Sequence, residues 1–385
     1  MSRRLWVAGA GMALLGPIAL GVAAAPAEAV AAGVVHVVTG STGSRIEYAA
    51  AAGQVNSVGI TRAGNTITLN ERVAVKAGAG CVAVKGDATQ VKCTASRWTY
   101  VKVATGAGND NIIDNSSIPV HADGGTGDDT ISGGLANDSL IGGPGNDYLN
   151  GGTAGNDGLN GGDGADRMYG GRGNDALTGE AGNDLMYAGD GDDKVSGGPG
   201  NDTIVGEDGT DIIDAGAGND KVTGDGHIYD VTASWSDTLR GGAGFDTLYY
   251  PEAWEIIDID LNGSSAAHPS NLGDIVDGAF EGVDVSSQYG TFIGNAADNI
   301  MQGGDTSVMH GGAGNDTLTS YDGTLNGDGT KLYGEAGDDT LTILQGSGDA
   351  TTKSNTLDGG PNATAAGDKC VTPFPSRDTV TNCER

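Results

Sequence analysis

Aromatic residues make up only 5% of this 385-residue chain, and it contains four Phe. Length alone would allow two or three domains. The 70 Gly residues and the shortage of large apolar side chains instead favour a thin core, one or two aliphatic layers deep. A large globular core is therefore not expected.

Basic residues are also scarce, since 20 Lys and Arg stand against 51 Asp and Glu, a formal net charge of −31. Such a charge makes nucleic acid and anionic membrane surfaces poor partners unless cations bridge them. It also predicts an expanded, poorly folded chain in the absence of cations.

Catalytic signatures are missing. There is no H-E-x-x-H, no G-x-S-x-G and no phosphate-binding Gly loop ending in Lys-Ser or Lys-Thr. The five His residues do not have the spacing of metal ligands; they are His36, His121, His227, His268 and His310. The sequence therefore predicts a protein that is not an enzyme.

Cysteine is limited to four residues, which predicts two disulfides in a secreted chain. Three connectivities are possible. Pairing Cys81 with Cys93 and Cys370 with Cys383 is the most economical, because each pair lies within one terminal segment. The spacing is too wide for a zinc knuckle.

The first 29 residues have the pattern of a signal peptide. Arg3 and Arg4 precede an apolar run, and Ala27-Glu28-Ala29 has the small-x-small form of a cleavage site. The alternative is a transmembrane anchor, which the Gly- and Ala-rich run disfavours. The arginine pair also resembles a twin-arginine signal, although general secretion is preferred. No stable membrane insertion of the mature chain is expected.

A nine-residue period runs from Gly124 to Thr223, with one extra residue in Thr153-Ala154-Gly155. Its sixth position is always Asp: Asp129, Asp138, Asp147, Asp157, Asp166, Asp175, Asp184, Asp193, Asp202, Asp211 and Asp220. Its eighth position is always apolar: Ile131, Leu140, Leu149, Leu159, Met168, Leu177, Met186, Val195, Ile204, Ile213 and Val222. Disordered Gly/Asp-rich chain has no reason to keep these two positions in phase. Fixed-period similarity predicts a solenoid whose units bury their apolar faces by stacking.

Each unit is expected to begin with a Gly-rich turn, with Asn or Asp at position five in the left-handed region, and to end in a very short strand. Two units make one coil, so every unit stacks on the next but one at roughly 4.8 Å. This arrangement places Asp175 between Asp157 and Asp193, and Asp184 between Asp166 and Asp202.

Carboxylates stacked at that spacing repel one another, and only four basic residues lie among these units: Arg167, Arg172, Lys194 and Lys221. A cation is therefore required. Hard oxygen ligands without His or Cys favour Ca²⁺ over Zn²⁺ or copper. Mg²⁺ is a weaker candidate because it dehydrates reluctantly.

The pattern G-G-x-G-x-D-x-U-x resembles the nonapeptide of RTX, or haemolysin-type, calcium-binding repeats. The resemblance implies an all-β fold, a right-handed parallel β-roll, with several Ca²⁺ ions between successive turns and the sixth-position Asp as side-chain ligand. The metal ligands that it implies are Asp110, Asp129, Asp138, Asp147, Asp157, Asp166, Asp175, Asp184, Asp193, Asp202, Asp211, Asp220, Asp246, Asp316 and Asp339. This family often joins the roll to a protease, lipase or pore-forming domain, for which the chain has no room. Many members use a C-terminal export signal, so the N-terminal signal here weakens any transfer of toxin function.

Residues 30–105 lack the repeat and read as a small β segment. Short strands are expected at 34–38, 45–48, 57–60, 66–69 and 99–103. Eight basic residues lie here: Arg45, Arg62, Arg72, Lys76, Lys85, Lys92, Arg97 and Lys102. The favoured prediction is an end cap for the solenoid; the alternative is a ligand-binding module.

Residues 106–249 form the predicted main roll, which starts with a degenerate unit at Asp110 and ends at Asp246. Residues 114–123 have no Asp in phase, and residues 224–239 are predicted to be an insertion. Residues 250–293 should form a degenerate coil with a strand at 256–261. Residues 294–358 form a second repeat block, with Asp298, Asp316 and Asp339 in isolated, weaker units. Residues 359–385 should form a C-terminal disulfide cap.

Together these patterns predict a secreted, extracellular calcium-binding β-roll whose partner is calcium and whose folding is driven by Ca²⁺. The alternative prediction is a calcium-rigidified adhesion or binding module for cell-surface polymers or proteins. Its contact would involve the exposed aromatics Trp235, Tyr249, Tyr250 and Trp254, although packing over an insertion is the favoured explanation for them.

Overall fold

The computed structural model describes residues 32–51, 53–225, 237–250, 258–262, 265–267, 273–276, 279–285, 290–304, 306–322, 329–345, 354–361, 367–373 and 375–384. The predicted signal peptide, residues 1–29, lies outside these ranges. Every regular element within them is a β-strand. No helix in this part of the chain is long and apolar enough to cross a membrane.

The strands fall into three groups along the chain. The N-terminal segment forms β1 (Gly33–Thr39), β2 (Ser44–Ala49), β3 (Ser57–Ala63), β4 (Thr66–Asn70), β5 (Val75–Ala77), β6 (Cys81–Val84), β7 (Asp87–Thr94) and β8 (Trp98–Ala107). The repeats form β9 (Asn111–Asn115), β10 (Val120–Thr126), β11 (Thr130–Ser132), β12 (Ser139–Ile141), β13 (Tyr148–Asn150), β14 (Gly158–Asp163), β15 (Arg167–Arg172), β16 (Ala176–Ala181), β17 (Leu185–Asp190), β18 (Lys194–Pro199), β19 (Thr203–Val205), β20 (Ile212–Ala217), β21 (Lys221–Thr223), β22 (Thr238–Ala243) and β23 (Thr247–Tyr249). The last part forms β24 (Ile259–Asp260), β25 (Ser265–Ala267), β26 (Gly273–Val276), β27 (Gly282–Val285), β28 (Thr291–Ile293), β29 (Ile300–Gly303), β30 (Val308–Ala313), β31 (Thr317–Asp322), β32 (Lys331–Ala336), β33 (Thr340–Gln345), β34 (Thr356–Asp358), β35 (Lys369–Val371) and β36 (Thr379–Thr381).

The strands of the repeats alternate between two parallel sheets. The first sheet has the order β5-β1-β2-β8-β10-β12-β14-β16-β18-β20-β22-β26-β25. In the second, the pairings run β6-β7-β4-β3-β9-β11-β13-β15-β17-β19-β21-β23-β27-β29-β31-β33-β35. A third sheet, β24-β28-β30-β32-β34-β36, alternates with the second from residue 290 onward.

The pairing register confirms that each unit stacks on the next but one. In the first sheet Leu159 pairs with Leu177, and in the second Met168 pairs with Met186. Because strand side chains alternate between faces, every eighth-position residue points inward. All eleven are at most 4% exposed. The all-β, parallel β-roll prediction is confirmed.

The N-terminal segment joins the roll through mixed pairings. All five predicted strands are present, and β1–β2, β3–β4, β4–β7 and β6–β7 are antiparallel. β8 and β3 then pair in parallel with the first coils. The predicted disulfides are also present, one between Cys81 and Cys93 and the other between Cys370 and Cys383.

Two details differ from the expectations. The left-handed backbone conformation occurs at positions two and four, not at the Asn or Asp of position five. Where position two is Glu, as in Glu180 and Glu207, the residue itself has a positive φ of 69° and 72°. The predicted insertion at 224–239 is shorter than expected, because Asp237 and β22 already follow the roll register.

Position four is Gly in ten of the eleven units, Ala136 being the exception, because the coils approach closely there. Gly200 has a φ of 153°, and a Cβ at this residue would collide with the carbonyl oxygen of Gly182 in the preceding coil. Neither the backbone angle nor the space suits an L-residue.

We expect Gly200→Ala to destabilise the calcium-loaded protein by about 2 kcal/mol or more, because the collision involves backbone that cannot rotate away. The measurement is thermal unfolding followed by circular dichroism. Ala181→Ser is the control, since Ala181 is exposed in a neighbouring turn. Equal melting temperatures for the two variants would contradict the close approach.

Candidate metal centre

Acidic side chains form two buried columns along the roll. The first contains Asp110, Asp129, Asp147, Asp166, Asp184, Asp202, Asp220 and Asp246, and the second contains Asp138, Asp157, Asp175, Asp193, Asp211 and Asp237. All are at most 4% exposed. The predicted neighbours of Asp175 and Asp184 are the ones observed.

One carboxylate oxygen of each Asp connects adjacent coils. The backbone N–H of Asp157 donates to Oδ1 of Asp175 at 2.7 Å, and that of Asp175 donates to Oδ1 of Asp193 at 2.6 Å. Because an ionised carboxylate accepts such bonds strongly, each Asp holds the turn of one coil against the next.

The second oxygen of the carboxylate has no hydrogen-bond partner in most members of the columns. This holds for Oδ2 of Asp110, Asp129, Asp147, Asp157, Asp166, Asp175, Asp184, Asp193, Asp202, Asp211, Asp220, Asp316, Asp339 and Asp368. Asp138 differs, because its Oδ2 accepts from the N–H of Gly134 at 2.7 Å. A buried, unpaired carboxylate oxygen is costly unless a cation or proton neutralises it.

In most units the first residue is Gly, which leaves room beside this oxygen. A Cβ on Gly142 would collide with Oδ2 of Asp147 and would lie 2.7 Å from the carbonyl oxygen of Gly161 in the next coil. The carboxylate and a backbone carbonyl thus converge on space that a side chain would fill. Ca²⁺ takes both kinds of oxygen.

Many carboxyl groups of the columns have raised pKa values. Burial raises the pKa of Asp157, Asp166, Asp193, Asp202 and Asp211 to about 7, and neighbouring carboxylates of the same column add to the effect. Burial likewise raises the pKa of Asp129 and Asp147 to about 6. The backbone N–H bonds to Oδ1 oppose these increases. Near neutral pH the stacked carboxyl groups are therefore stabilised by binding a proton or a cation, either of which neutralises their charge.

Within the described ranges, no three Asp, Glu, His or Cys side chains converge on one point. The columns contribute one carboxylate per half-coil, alongside turn carbonyls such as that of Gly161. This oxygen-only donor set suits Ca²⁺ better than metals that prefer nitrogen or sulfur.

Comparison with protein families agrees with this geometry. The model of the RTX calcium-binding nonapeptide repeat matches residues 123–154, 152–186, 169–204, 187–222, 236–249, 291–318, 303–324 and 330–347. The chain contains RTX calcium-binding nonapeptide repeats. No curated protein matches it significantly.

Sequence reasoning missed several members of the columns in this RTX roll. Asp237 accepts the N–H of Asp211, and Asp368 accepts that of Asp339. The nine-residue period is lost around both, but the carboxylate column is not. Each column Asp lies two residues before an apolar strand residue. Counting back two residues from Leu239 and from Cys370 therefore identifies Asp237 and Asp368.

In the second repeat block, two predictions were wrong. Asp298 is exposed, and its neighbour Asn299, which is fully buried, donates its N–H to Oδ1 of Asp316. Counted from Gly294, the sixth position of this unit is Asn299, so the ligand position lies one residue after Asp298. Asp316 and Asp339 are also not isolated, because Asp316, Asp339 and Asp368 stack directly.

The expectations for the other polar and aromatic residues had mixed outcomes. Trp235, Trp254, His227 and His268 lie outside the described residues. Tyr250, expected to be exposed, is buried. Tyr249 is half-buried, and the Nζ of Lys221 lies 3.2 Å from the centroid of its ring.

Asp114, which the sequence did not assign, is buried beside Ser116, whose N–H and hydroxyl donate to its two oxygens. Burial raises its pKa to about 6.

The raised pKa values predict how the metal-free roll responds to pH. In the folded state Asp129 and Asp157 hold their protons up to about pH 6 and 7 respectively, whereas in the unfolded chain they lose them near 3.8. The folded state thus binds more protons, so its stability should fall as pH rises between these values. Thermal melts of metal-free protein should give higher melting temperatures at about pH 5 than at about pH 8. A melting temperature that rises with pH would contradict the buried columns.

Replacing Asp184 with Asn separates the hydrogen bond from the charge, because the amide Oδ1 still accepts while Oδ2 is lost as an anion. We expect the calcium midpoint for folding to rise about tenfold or less, a cost of about 1 kcal/mol. The metal-free fold should become more stable near neutral pH. The matched control is Asp192→Asn, since exposed Asp192 also accepts one backbone N–H. The same calcium midpoint in both variants would argue against Asp184 as a ligand.

Proposed function

We propose that this protein is a secreted, non-enzymatic β-roll whose folding is driven by Ca²⁺ bound between its stacked turns. The observation that carries the proposal is the series of buried carboxylates whose Oδ2 has no hydrogen-bond partner. Residues that place so many unpaired anions inside a fold make that fold dependent on a counter-ion.

The mechanism is linkage between binding and folding. Ca²⁺ binds the stacked turns and not the unfolded chain, so its binding free energy becomes folding free energy. The charge distribution supports this dependence, since residues 106–385 hold 47 of the 51 acidic residues and 10 of the 20 basic ones. Without cations, self-repulsion opposes the compact roll.

The proposed ligands are the fifteen Asp residues that the sequence indicates, together with Asp237 and Asp368. Asp138 departs from the pattern of an unpaired Oδ2, because the N–H of Gly134 already donates to that oxygen. Asn299 and Glu281 occupy the first column between Asp246 and Asp316. Asn carries no charge, so the coil at Asn299 should bind calcium less tightly.

Secretion is supported by the N-terminal signal pattern and by the two disulfides, which persist in oxidising compartments. Millimolar extracellular calcium would then complete folding after export. The division into cap, main roll, degenerate coil, second block and C-terminal cap is part of the same proposal. The absence of catalytic motifs in the sequence supports a non-enzymatic role.

The decisive experiment compares far-UV circular dichroism of the processed protein in chelator and in millimolar Ca²⁺. We expect a cooperative gain of β-structure with Ca²⁺ and a much weaker response to Mg²⁺, because Mg²⁺ retains its waters. Calorimetry should show proton release on binding, since burial raises the pKa of column residues such as Asp157 and Asp202 to about 7. A spectrum that does not change with calcium would rule out the mechanism.

Export has its own test. Expression of the full chain in a bacterial host should give extracellular protein whose N-terminus is Val30, directly after the predicted cleavage site. Ala29→Arg should block cleavage, so that the protein keeps residues 1–29. Retention of residues 1–29 on the exported protein would favour the anchor.

A further inference from the structure

A second ladder of side chains runs along the outside of the first column. It is formed by the fifth position of each unit, whose Oδ1 accepts the backbone N–H of the fifth position one coil further on. Asp128 accepts from Asn146 at 2.9 Å, and Asn146 accepts from Ala165 at 2.8 Å. Beyond the break, Asn183 accepts from Asn201, also at 2.8 Å.

Ala165 interrupts this ladder. Its methyl group cannot accept the N–H of Asn183, so the ladder has no side-chain acceptor at this coil. A surface cavity of about 510 Å³ lies at the interruption. The exposed residues that line it include Asp128, Asn146, Tyr148, Ala165, Arg167 and Asn183. We call it the Ala165 notch.

The rim of the notch has both donors and acceptors. Arg167 is exposed and offers guanidinium donors, exposed Asp128 offers carboxylate oxygens, and the amides of Asn146 and Asn183 offer both. The ring of Tyr148 is 37% exposed and touches Tyr169, with 5.5 Å between ring centroids. Leu185 adds a half-buried apolar contact.

The floor of the notch is separated from the acidic interior. Asp129, Asp147 and Asp166 line it but are only 1–2% exposed, and their Oδ2 atoms are buried, so a ligand would have almost no contact with their carboxylates. Cations bound in the columns would therefore not contact a ligand in the notch. The notch exists only when four successive coils are stacked, so it depends on the proposed calcium-driven fold.

This chemistry favours an uncharged, polyhydroxylated ligand. An anion would meet Asp128, and a cation would meet Arg167, whereas a hydroxyl group both donates and accepts and satisfies either neighbour. An aromatic ring beside a few converging polar groups is the usual composition of a specific small-molecule site. The volume suits one or two sugar rings.

We propose that the Ala165 notch binds a neutral saccharide unit, with Tyr148 packing against a sugar ring and Arg167, Asp128, Asn146 and Asn183 bonding its hydroxyls. The ligand would be part of a surface glycan, and the stacked coils would act as the rigid support for the site.

The test uses mature protein in millimolar Ca²⁺ with three probes: maltose, cellobiose and N,N′-diacetylchitobiose. Binding is measured by saturation-transfer NMR and calorimetry, and folding is measured independently by circular dichroism. We expect at least one probe to bind the wild type. Ala165→Asn should restore the outer ladder, fill the notch and weaken binding about tenfold or more, with the calcium response unchanged.

Ala217→Asn is the matched control, because it adds the same amide at an exposed turn position away from the notch. It should bind as the wild type does. Tyr148→Ala should lose binding while still folding with calcium, and it decides the matter if Ala165→Asn folds poorly. Binding that survives both substitutions, or no binding of any probe to folded wild type, overturns the proposal. Failure of the calcium response itself would instead contradict the proposed function.

Discussion

The dominant constraint on this molecule is the burial of like charges at the spacing of adjacent coils. Two columns of Asp residues lie inside a roll, two places along the chain from buried residues that are all aliphatic or Met in the main repeat. Each carboxylate uses one oxygen to bind the next coil and leaves the other unpaired in most units. A neutral substitute would fold more easily, so the columns make stability conditional on a bound cation.

Glycine makes the columns geometrically possible. The first Gly of a unit leaves space beside the Asp oxygen, and the fourth allows the turns to touch, as Gly200 does against Gly182. Ala188 and Ala215 replace the first Gly in two units and are fully buried. At these two coils a methyl group therefore occupies space that is open elsewhere, and the cation sites along one roll are chemically unequal.

The exposed residues of the roll contribute to its stability in a different way from the buried Asp residues. Exposed Asn and Asp residues at position five repeat the coil-to-coil hydrogen bond without burial, so they add stability without requiring a cation. Where position five lacks an acceptor side chain, as at Ala165, the hydrogen bond to the next coil is missing while the strand pairing continues. The Ala165 notch lies at such a position, on stacked coils that calcium would hold rigid.

The sequence by itself determined the repeat, the parallel pairing of alternate units and the inward direction of the Asp and aliphatic positions, because a fixed period of nine admits one stacking register. It also indicated both disulfides. Only the tertiary structure showed that Asp237 and Asp368 rejoin the columns, and that Asn299, not Asp298, lies in line. Loops between coils vary in length while strand pairing restores the register, so position along the chain stops reporting position in space. The role of position five was likewise decided by its neighbour one coil away, which no local pattern contains.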